Sequence, residues 1–469
     1  MTLNSREFSA ASGRAASDSK QQGLLAYAIG NYTVKRDASR AKFRDWEGAR
    51  KAAEDVKREA LENLDGLLAK FIGKVEGRGG KVFCARDAAE ARDYIIGLAE
   101  EKGVRSIVKS KSMTTEEIGL NHALEGRGFG VVESDLGEFI IQLRGETPYH
   151  IVFPAVHLSR QQVSALFHER LGSPETENPG ELTGVARAHL RKVFCSADMG
   201  ITGANFAVAE TGMISVTENE GNARLTMSLP RIHVAVVGIE KIIPRLSDLA
   251  LLLPVLATNG TGQGMSCYNS FVGGPRRGGE CDGPAEFHVV LLDNGRTRIL
   301  ADPDKSEVLR CIRCGGCLGV CPVFRTVGGH AYGTVYPGPI GAVLTPLLRG
   351  ICEWGHLSFA SSLCEACTET CPVRIEIHRL ILKNRRDYNR ACPSSVQRLA
   401  FRAFAFVARR PALFRLAGKA ASLGQHFYPL VGWLPFNPLR RWTDTRAMPR
   451  VSFTPFRDWW KRRRAGRAE

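Results

Sequence analysis

The chain has 469 residues, 44% of them apolar, which is enough for two or three domains with sizeable cores. Thirteen cysteines, odd in number and partly scattered, argue against a disulfide framework and for metal ligation in a reducing compartment. The net charge of +16 is uneven: residues 393–469 carry sixteen Lys or Arg against three Asp or Glu, thirteen of the sixteen net charges, and no nucleic-acid recognition motif accompanies them.

Residues 1–75 read as an N-terminal helical segment. Phe43, Trp46, Val56, Leu61, Leu64, Leu68 and Phe71 recur at three- and four-residue steps and stop before Gly77-Arg-Gly-Gly80. About thirty residues ahead of that pattern lack it, and partial disorder is expected there.

Residues 76–293 alternate short apolar strands with helical patterns. The strands expected are Ser106–Lys109, Gly130–Val132, Phe139–Leu143, His150–Phe153, Met213–Val216, His233–Val237 and Phe287–Leu292. The helices expected are Asp87–Lys102, Gln161–Leu171, Glu181–Lys192 and Glu240–Leu253. Such alternation predicts an α/β domain with a largely parallel sheet, whose ligands sit at the C-terminal ends of the strands. Polar loops cluster at Lys109–Glu117, at Asp198–Gly212 and at Glu218–Arg224. In these, Asn205, Glu210, Thr211, Glu220, Asn222 and Arg224 offer donors and acceptors for an anionic or hydroxylated small molecule. The competing reading is a set of satisfied turns. No Walker A sequence is present, and Gly260-Thr-Gly-Gln-Gly264 lacks the spacing of a dinucleotide loop. His150, His233 and His288 lie in apolar runs and read as structural.

Residues 294–391 carry the strongest signal. Cys311-Ile-Arg-Cys314-Gly-Gly-Cys317-Leu-Gly-Val-Cys321-Pro322 is C-x2-C-x2-C-x3-C-P, the bacterial ferredoxin spacing. Cys364-Glu-Ala-Cys367-Thr-Glu-Thr-Cys371-Pro372 follows as C-x2-C-x3-C-P. In such pairs three thiolates wrap one cubane cluster while the fourth serves the other. Cluster I then takes Cys311, Cys314, Cys317 and Cys371; cluster II takes Cys321, Cys364 and Cys367. A zinc ribbon would use two separated ligand pairs instead. Cluster II is one ligand short, because the symmetric position is Ser361. Cys352, Cys392, the Ser361 oxygen, an iron open to solvent or substrate, or a three-iron cluster remain as alternatives, with Cys352 or a non-Cys ligand preferred. The link holds a turn-rich piece, Tyr332–Pro339, and an apolar segment, Ile340–Leu348; His378–Arg385 reads as helix. A helical two-cluster ferredoxin-type domain is expected. Arg313 and Arg374 adjoin ligands, where positive charge would favour the reduced cluster unless both point into solvent.

Residues 392–469 form a basic extension with helical patches at Val396–Arg409 and Leu413–Leu423, ending in Trp459-Trp-Lys-Arg-Arg-Arg464. A solvated tail, a docking surface for a redox partner and an anionic membrane surface are the readings for it. The N-terminus lacks the apolar centre of a signal peptide, and the longest apolar stretch, Leu249–Ala257, is too short to span a bilayer. The expected location is cytoplasmic, with peripheral attachment to the inner face of the membrane as an option for the tail.

Ile201–Gly212, Glu218–Leu225, Asp282–Gly295, both cysteine motifs with their Ser361-Ser-Leu-Cys364 variant, and the basic extension together resemble the lactate-utilisation protein B (LutB) family. The resemblance covers most of the chain. It implies that residues 76–293 adopt a NagB/CoA-transferase-like α/β fold, the lactate-utilisation domain. It implies the seven ligands Cys311, Cys314, Cys317, Cys321, Cys364, Cys367 and Cys371, holding two [4Fe-4S] clusters. It further implies a complex that oxidises L-lactate to pyruvate, with a cysteine-rich iron–sulfur subunit and a second lactate-utilisation-domain subunit as partners. No base for the lactate hydroxyl is identifiable, so the chain reads as the electron-transfer subunit. The alternatives are a self-contained 2-hydroxy-acid dehydrogenase with an open-site cluster and a metabolite-binding iron–sulfur sensor.

Overall fold

Ten strands organise the middle of the chain: β1 (Lys81–Ala85), β2 (Ser106–Lys109), β3 (Gly130–Glu133), β4 (Met199–Thr202), β5 (Phe206–Val208), β6 (Met213–Glu218), β7 (Ile232–Gly238), β8 (Ile242–Ile243), β9 (Tyr268–Val272) and β10 (Glu286–Leu292). Six form one sheet in the order β1-β10-β7-β4-β2-β3, with every pairing parallel; β8-β5-β6-β9 form a smaller mixed sheet. This is a computed structural model, and it describes residues 3–431, 446–447, 450–454 and 456–466. The chain divides into two compact units, Met1–Ala391 and Cys392–Glu469.

The parallel sheet is buried on both faces because alternate residues of one strand feed different cores. Val290 and Leu292 of β10 pack with Val234 and Val236 of β7 under the helix Ala88–Glu101. Phe287, Val289 and Leu291 turn the other way, onto Phe71 and Val75 of the helix Leu64–Glu76 and onto Ile214 of the small sheet. Each such fully buried Leu, Val or Phe contributes about 1.5–3 kcal/mol.

Three expectations fail here. Phe139–Leu143 is not a strand but part of the helix Leu136–Arg144. Asp135 caps it through the backbone N–H groups of Gly137 and Glu138, and Phe139, Ile140 and Ile141 are all buried. A short run apolar on every side has no period to separate helix from strand. His150–Phe153 is a turn, because His150 Nδ1 accepts from the N–H groups of Val152 (3.0 Å) and Phe153 (3.1 Å). Glu240–Leu253 is not one helix: a 3₁₀ turn over Ile239–Lys241, β8 and Pro244 precede the helix Leu249–Thr261. The strands β1, β4, β5, β8 and β9 went unread.

The helices Leu3–Ser17 and Ser19–Arg40 occupy the part of the chain where partial disorder was expected. Leu25, Ile29 and Tyr32 are buried, and Tyr32 donates its hydroxyl to the Asn259 carbonyl. The cysteine-rich part is helical as expected, with Gly338–Arg349 and Ile377–Ala391 as its longest helices. The second unit holds the helices Ser395–Ala408 and Pro411–Val431, and a further helix, Phe456–Ala465, in a stretch expected to be irregular. The remainder of that stretch falls largely outside the described residues. Phe401, Phe404, Leu416, Trp459 and Trp460 of this unit are exposed. Among the described residues no helix is long and apolar enough to cross a membrane.

Candidate functional site

The seven motif cysteines gather into two groups. Burial, then neighbouring Cys314 and Cys311, raise the Cys317 thiol well above its ordinary value. Cys371, pushed up to about 12 by burial, feels Cys314 and Cys311 too. Cys311, Cys314, Cys317 and Cys371 line one small cavity. Cys367, also raised to about 12 by burial, instead feels Cys321 and Cys364. The crossover therefore arises because each C-x2-C hook sits beside the last cysteine of the other motif.

The local backbone explains how the hooks form. Arg313 (φ 59°) and Gly315 (φ 74°) flank Cys314 in left-handed conformations, and Leu363 (φ 56°) and Glu365 (φ 65°) flank Cys364 likewise. The reversed backbone turns amide N–H groups onto sulfur: Arg313 N–H to Cys311 Sγ (3.4 Å), Phe324 N–H to Cys321 Sγ (3.5 Å) and Ile375 N–H to Cys371 Sγ (3.4 Å). Asn259 Nδ2 adds a bond to Cys314 Sγ (3.3 Å) and another to the Thr370 carbonyl (3.2 Å). Donors of this kind stabilise thiolate and tune cluster potential.

The donor set fits an iron–sulfur cluster. Four thiols pressed together in an apolar pocket cannot all ionise without a positive centre among them. The surroundings supply positive charge as well. Arg313, Lys57 and Lys241 are buried around Cys311, with Glu240 between them. Burial pushes Lys57 down to about 7 and Lys241 down to about 8. Against burial, which would raise it, Arg296, Arg313 and Lys241 hold Glu240 down at about 2. Glu240 accepts from Arg296 Nε (2.5 Å) and Arg313 Nη2 (3.3 Å). Of the two arginines expected beside ligands, only Arg313 turns inward; Arg374 is 44% exposed, with Glu54 at 3.8 Å.

The second motif repeats the first with one change. Ser361 Oγ accepts from Leu363 N–H (3.2 Å), as Cys311 Sγ accepts from Arg313 N–H, and both residues are half-buried. Ser361 thus stands where Cys311 stands in the other hook. Cys352 and Cys392, two of the alternatives for a fourth ligand, are both disulfide-bonded in this structure.

A cavity of about 510 Å³ lies against the first cysteine group, with Cys314 in its wall. It opens beyond the C-terminal ends of β2, β4 and β7. The chain runs from β2 outward to β3 and from β4 the other way to β7, so strand order reverses between β2 and β4. Crevices at such reversals are the ordinary ligand sites of open α/β sheets. Two loops and a strand end expected to hold polar groups meet here: Ser110–Thr114, Gly203–Asn205 and Glu218–Ala223. Asn205, Glu220 and Asn222 line the cavity as expected. Glu210, Thr211 and Arg224 do not. Glu210 accepts from Leu246 N–H, Thr211 Oγ1 accepts from Met213 N–H, and Arg224 stacks over Tyr268. Sequence reasoning missed Lys241 and the presence of Arg313 and Cys314 in the same wall. A lysine three residues after the fully buried β7 was the available signal. The mouth is acidic: Asp135, Glu218 and Glu220 face one another. Glu220 is pushed up to about 7 by desolvation of its carboxylate and by Asp135. His233 and His288 are structural, bonding Thr202 (2.8 Å) and Tyr94 (2.7 Å).

Family comparisons agree with these parts. The LUD domain pattern matches residues 68–292, the 4Fe-4S dicluster domain 307–375, and the lactate utilisation protein B C-terminal pattern 386–465. Lactate utilization protein B of Bacillus cytotoxicus is 42% identical, covering 99% of each chain. That of Shouchella clausii is 44% identical over 94% of this chain and 95% of its own. An electron transport protein of Escherichia coli, YkgF, is 41% identical over 94% of both. A crystal structure of a DUF162 family protein from Deinococcus radiodurans covers 49% of this chain and 98% of its own, at 16% identity and a TM-score of 0.28. With a parallel-sheet domain, a cysteine pair of motifs and a basic extension each matched in order, the chain belongs to the lactate utilisation protein B family.

Proposed function

We propose that this chain is the iron–sulfur electron-transfer protein of a complex that oxidises L-lactate to pyruvate. The observation that carries this reading is the gathering of seven cysteines into two groups. Cys311, Cys314, Cys317 and Cys371 would hold one [4Fe-4S] cluster; Cys321, Cys364 and Cys367, with the Ser361 corner, would hold the second. When bound, such clusters accept and release electrons one at a time over a wide range of potentials. The chain's own residues set that range. Buried Arg313, Lys57 and Lys241 stabilise added negative charge beside Cys311, while the exposed Cys364 leaves the second group near solvent. That gradient suits delivery of electrons from an interior site to a docked acceptor.

The order of segments supports a division of labour: residues 1–75 brace the sheet, 76–293 form the lactate-utilisation domain, 294–391 carry the clusters, and 392–469 dock. The partners in this reading are a cysteine-rich iron–sulfur subunit and a second lactate-utilisation-domain subunit. The basic extension faces an acceptor or an anionic membrane surface. The test is anaerobic reconstitution followed by iron and sulfide analysis and EPR after dithionite. About eight irons with two interacting reduced cubane signals is the expected result. Zinc without an EPR signal sinks the reading.

A further inference from the structure

We propose that Glu146, His157 and His330 form a structural zinc site, which clamps the connector after the helix Leu136–Arg144 to the link between the two cysteine motifs. The inference does not depend on the electron-transfer reading and goes beyond it.

Convergence of donors from distant parts of the chain is the first argument. Each of the three side chains offers one ligand atom, and those atoms all lie within 4.8 Å of one another. Glu146 and His157 belong to the connector between the helices Leu136–Arg144 and Arg160–Leu171, whereas His330 opens the 3₁₀ turn His330–Tyr332 beyond Cys321. Two imidazoles and a carboxylate are a donor set that zinc takes, with water as a fourth ligand. Tetrahedral ligands at about 2.1 Å from the ion stand about 3.4 Å apart. His330 is exposed, so its side chain has the freedom to close that difference. Magnesium and calcium take oxygen ligands instead.

The surroundings orient these groups as a metal requires. His330 Nε2 lies 2.8 Å from the Thr147 carbonyl, which only accepts, so Nε2 carries the proton and Nδ1 of the neutral ring keeps its lone pair. A backbone carbonyl in that position is a usual orienting partner of a ligating histidine. Arg144 Nε donates to Glu146 Oε1 (2.7 Å), which leaves Oε2 turned towards His157 Nε2 (2.9 Å). The His157 side chain is 9% exposed, its ring stacks on Tyr149 at 4.5 Å, and its Nδ1 is buried without a hydrogen-bond partner. The bond to Glu146 alone therefore leaves this imidazole half satisfied, which is unusual for a buried ring. Burial lowers the His157 pKa and keeps the ring neutral, the form that ligates.

The turn that carries His330 is shaped for close approach. A Cβ on Gly328, where φ is 70°, would overlap the Tyr149 hydroxyl, and one on Gly329 would overlap the Tyr149 carbonyl. The helix Pro322–Val327 runs from Cys321 to this turn. Phe324 of that helix donates its N–H to Cys321 Sγ and packs edge-on against Tyr149. An ion held here would fix the segment that presents Cys321. Zinc has no redox chemistry, so its part is structural.

The test uses the full chain, reconstituted anaerobically with iron and sulfide, freed of loose metal by a chelator and then supplied with zinc alone. One zinc per chain beside the full iron complement is expected, with only nitrogen and oxygen neighbours at about 2.0–2.1 Å in the zinc K-edge absorption spectrum. That shell separates it from zinc taken up by the cysteines in place of iron. His330→Ala, at an exposed position, should weaken zinc binding at least about tenfold while iron is unchanged. Glu146→Gln, which keeps an oxygen facing His157 and removes the charge, should weaken it too. Zinc should raise the melting temperature of the wild type and of neither variant. Sulfur neighbours around the zinc overturn the site. So does an iron-loaded chain that retains no zinc, and so does zinc affinity that survives both substitutions.

Discussion

The two cysteine groups share a backbone plan and differ in what surrounds them. Cys314, Cys317 and Cys371 are buried, packed about by Tyr32 and Arg40 from the N-terminal helices, Asn259 from the helix after β8, and the Arg313–Glu240–Arg296 network, with Cys314 reaching the wall of the large cavity. Around Cys364 there is solvent, and Ser361 replaces the thiol that would complete the hook. In the proposed reading the same motif would serve two tasks. A cluster held by the buried group would be insulated and tuned by the cations behind it; one held by the exposed group would lie within reach of a partner, where solvent screens such tuning.

Several substitutions would break that contrast. Cys317→Ala has the largest expected effect, because the Cys317 thiol feels four of the other motif cysteines, Cys311, Cys314, Cys367 and Cys371. Cluster I should be lost, iron should fall from about eight to about four per chain, and thermal stability should drop, as metal analysis and a melting curve would record. Glu240→Ala leaves Arg296 and Arg313 buried and under-neutralised. Breaking a buried pair of this kind costs roughly 3–5 kcal/mol, to be read from denaturant unfolding; a change below about 1 kcal/mol would mean the network is solvated. Cys364→Ala should remove cluster II alone, leaving the cluster I EPR signal and the fold unaltered. Ser361→Cys should keep the iron count but change the cluster II EPR line shape, with cluster I unaffected; an unchanged spectrum would place the fourth ligand elsewhere.

The smallest effect concerns acid. Glu240 titrates at about 2 in the fold against an ordinary value of 4.5. A depressed carboxylate stabilises the fold fully above about pH 4.5 and loses that contribution as pH falls from there to about 2. Comparing melting temperatures of the wild type and Glu240→Gln from pH 7 to pH 3 should show the two curves converging as pH falls.

How legible this was in the sequence depended on the range of each interaction. The cysteine spacings, the continuous apolar runs of β7 and β10 and the capped helices are local, so their chemistry shows in consecutive residues. Phe139–Leu143 and His150–Phe153 misled because their conformations are settled by a cap at Asp135 and by the ring nitrogen of His150, which outcompete apolar content. The order of the first helices went unread because their buried face is sparse; Tyr32 and Ser39 find their partners only in Asn259 and Gly262, which lie more than two hundred residues away.

By itself the sequence determined the ferredoxin-type cysteine spacing, the parallel α/β class, the basic extension and the serine at position 361, because thiol spacing, apolar runs alternating with helical patterns, and charge are properties of neighbouring residues. Tertiary structure alone decided which cysteine group is buried, that Arg313 faces inward while Arg374 faces out, and that Lys241 reaches the same wall as Cys314. Those outcomes depend on bringing the ends of β2, β4 and β7 against the cysteine hooks, and long-range packing of that kind leaves no local pattern.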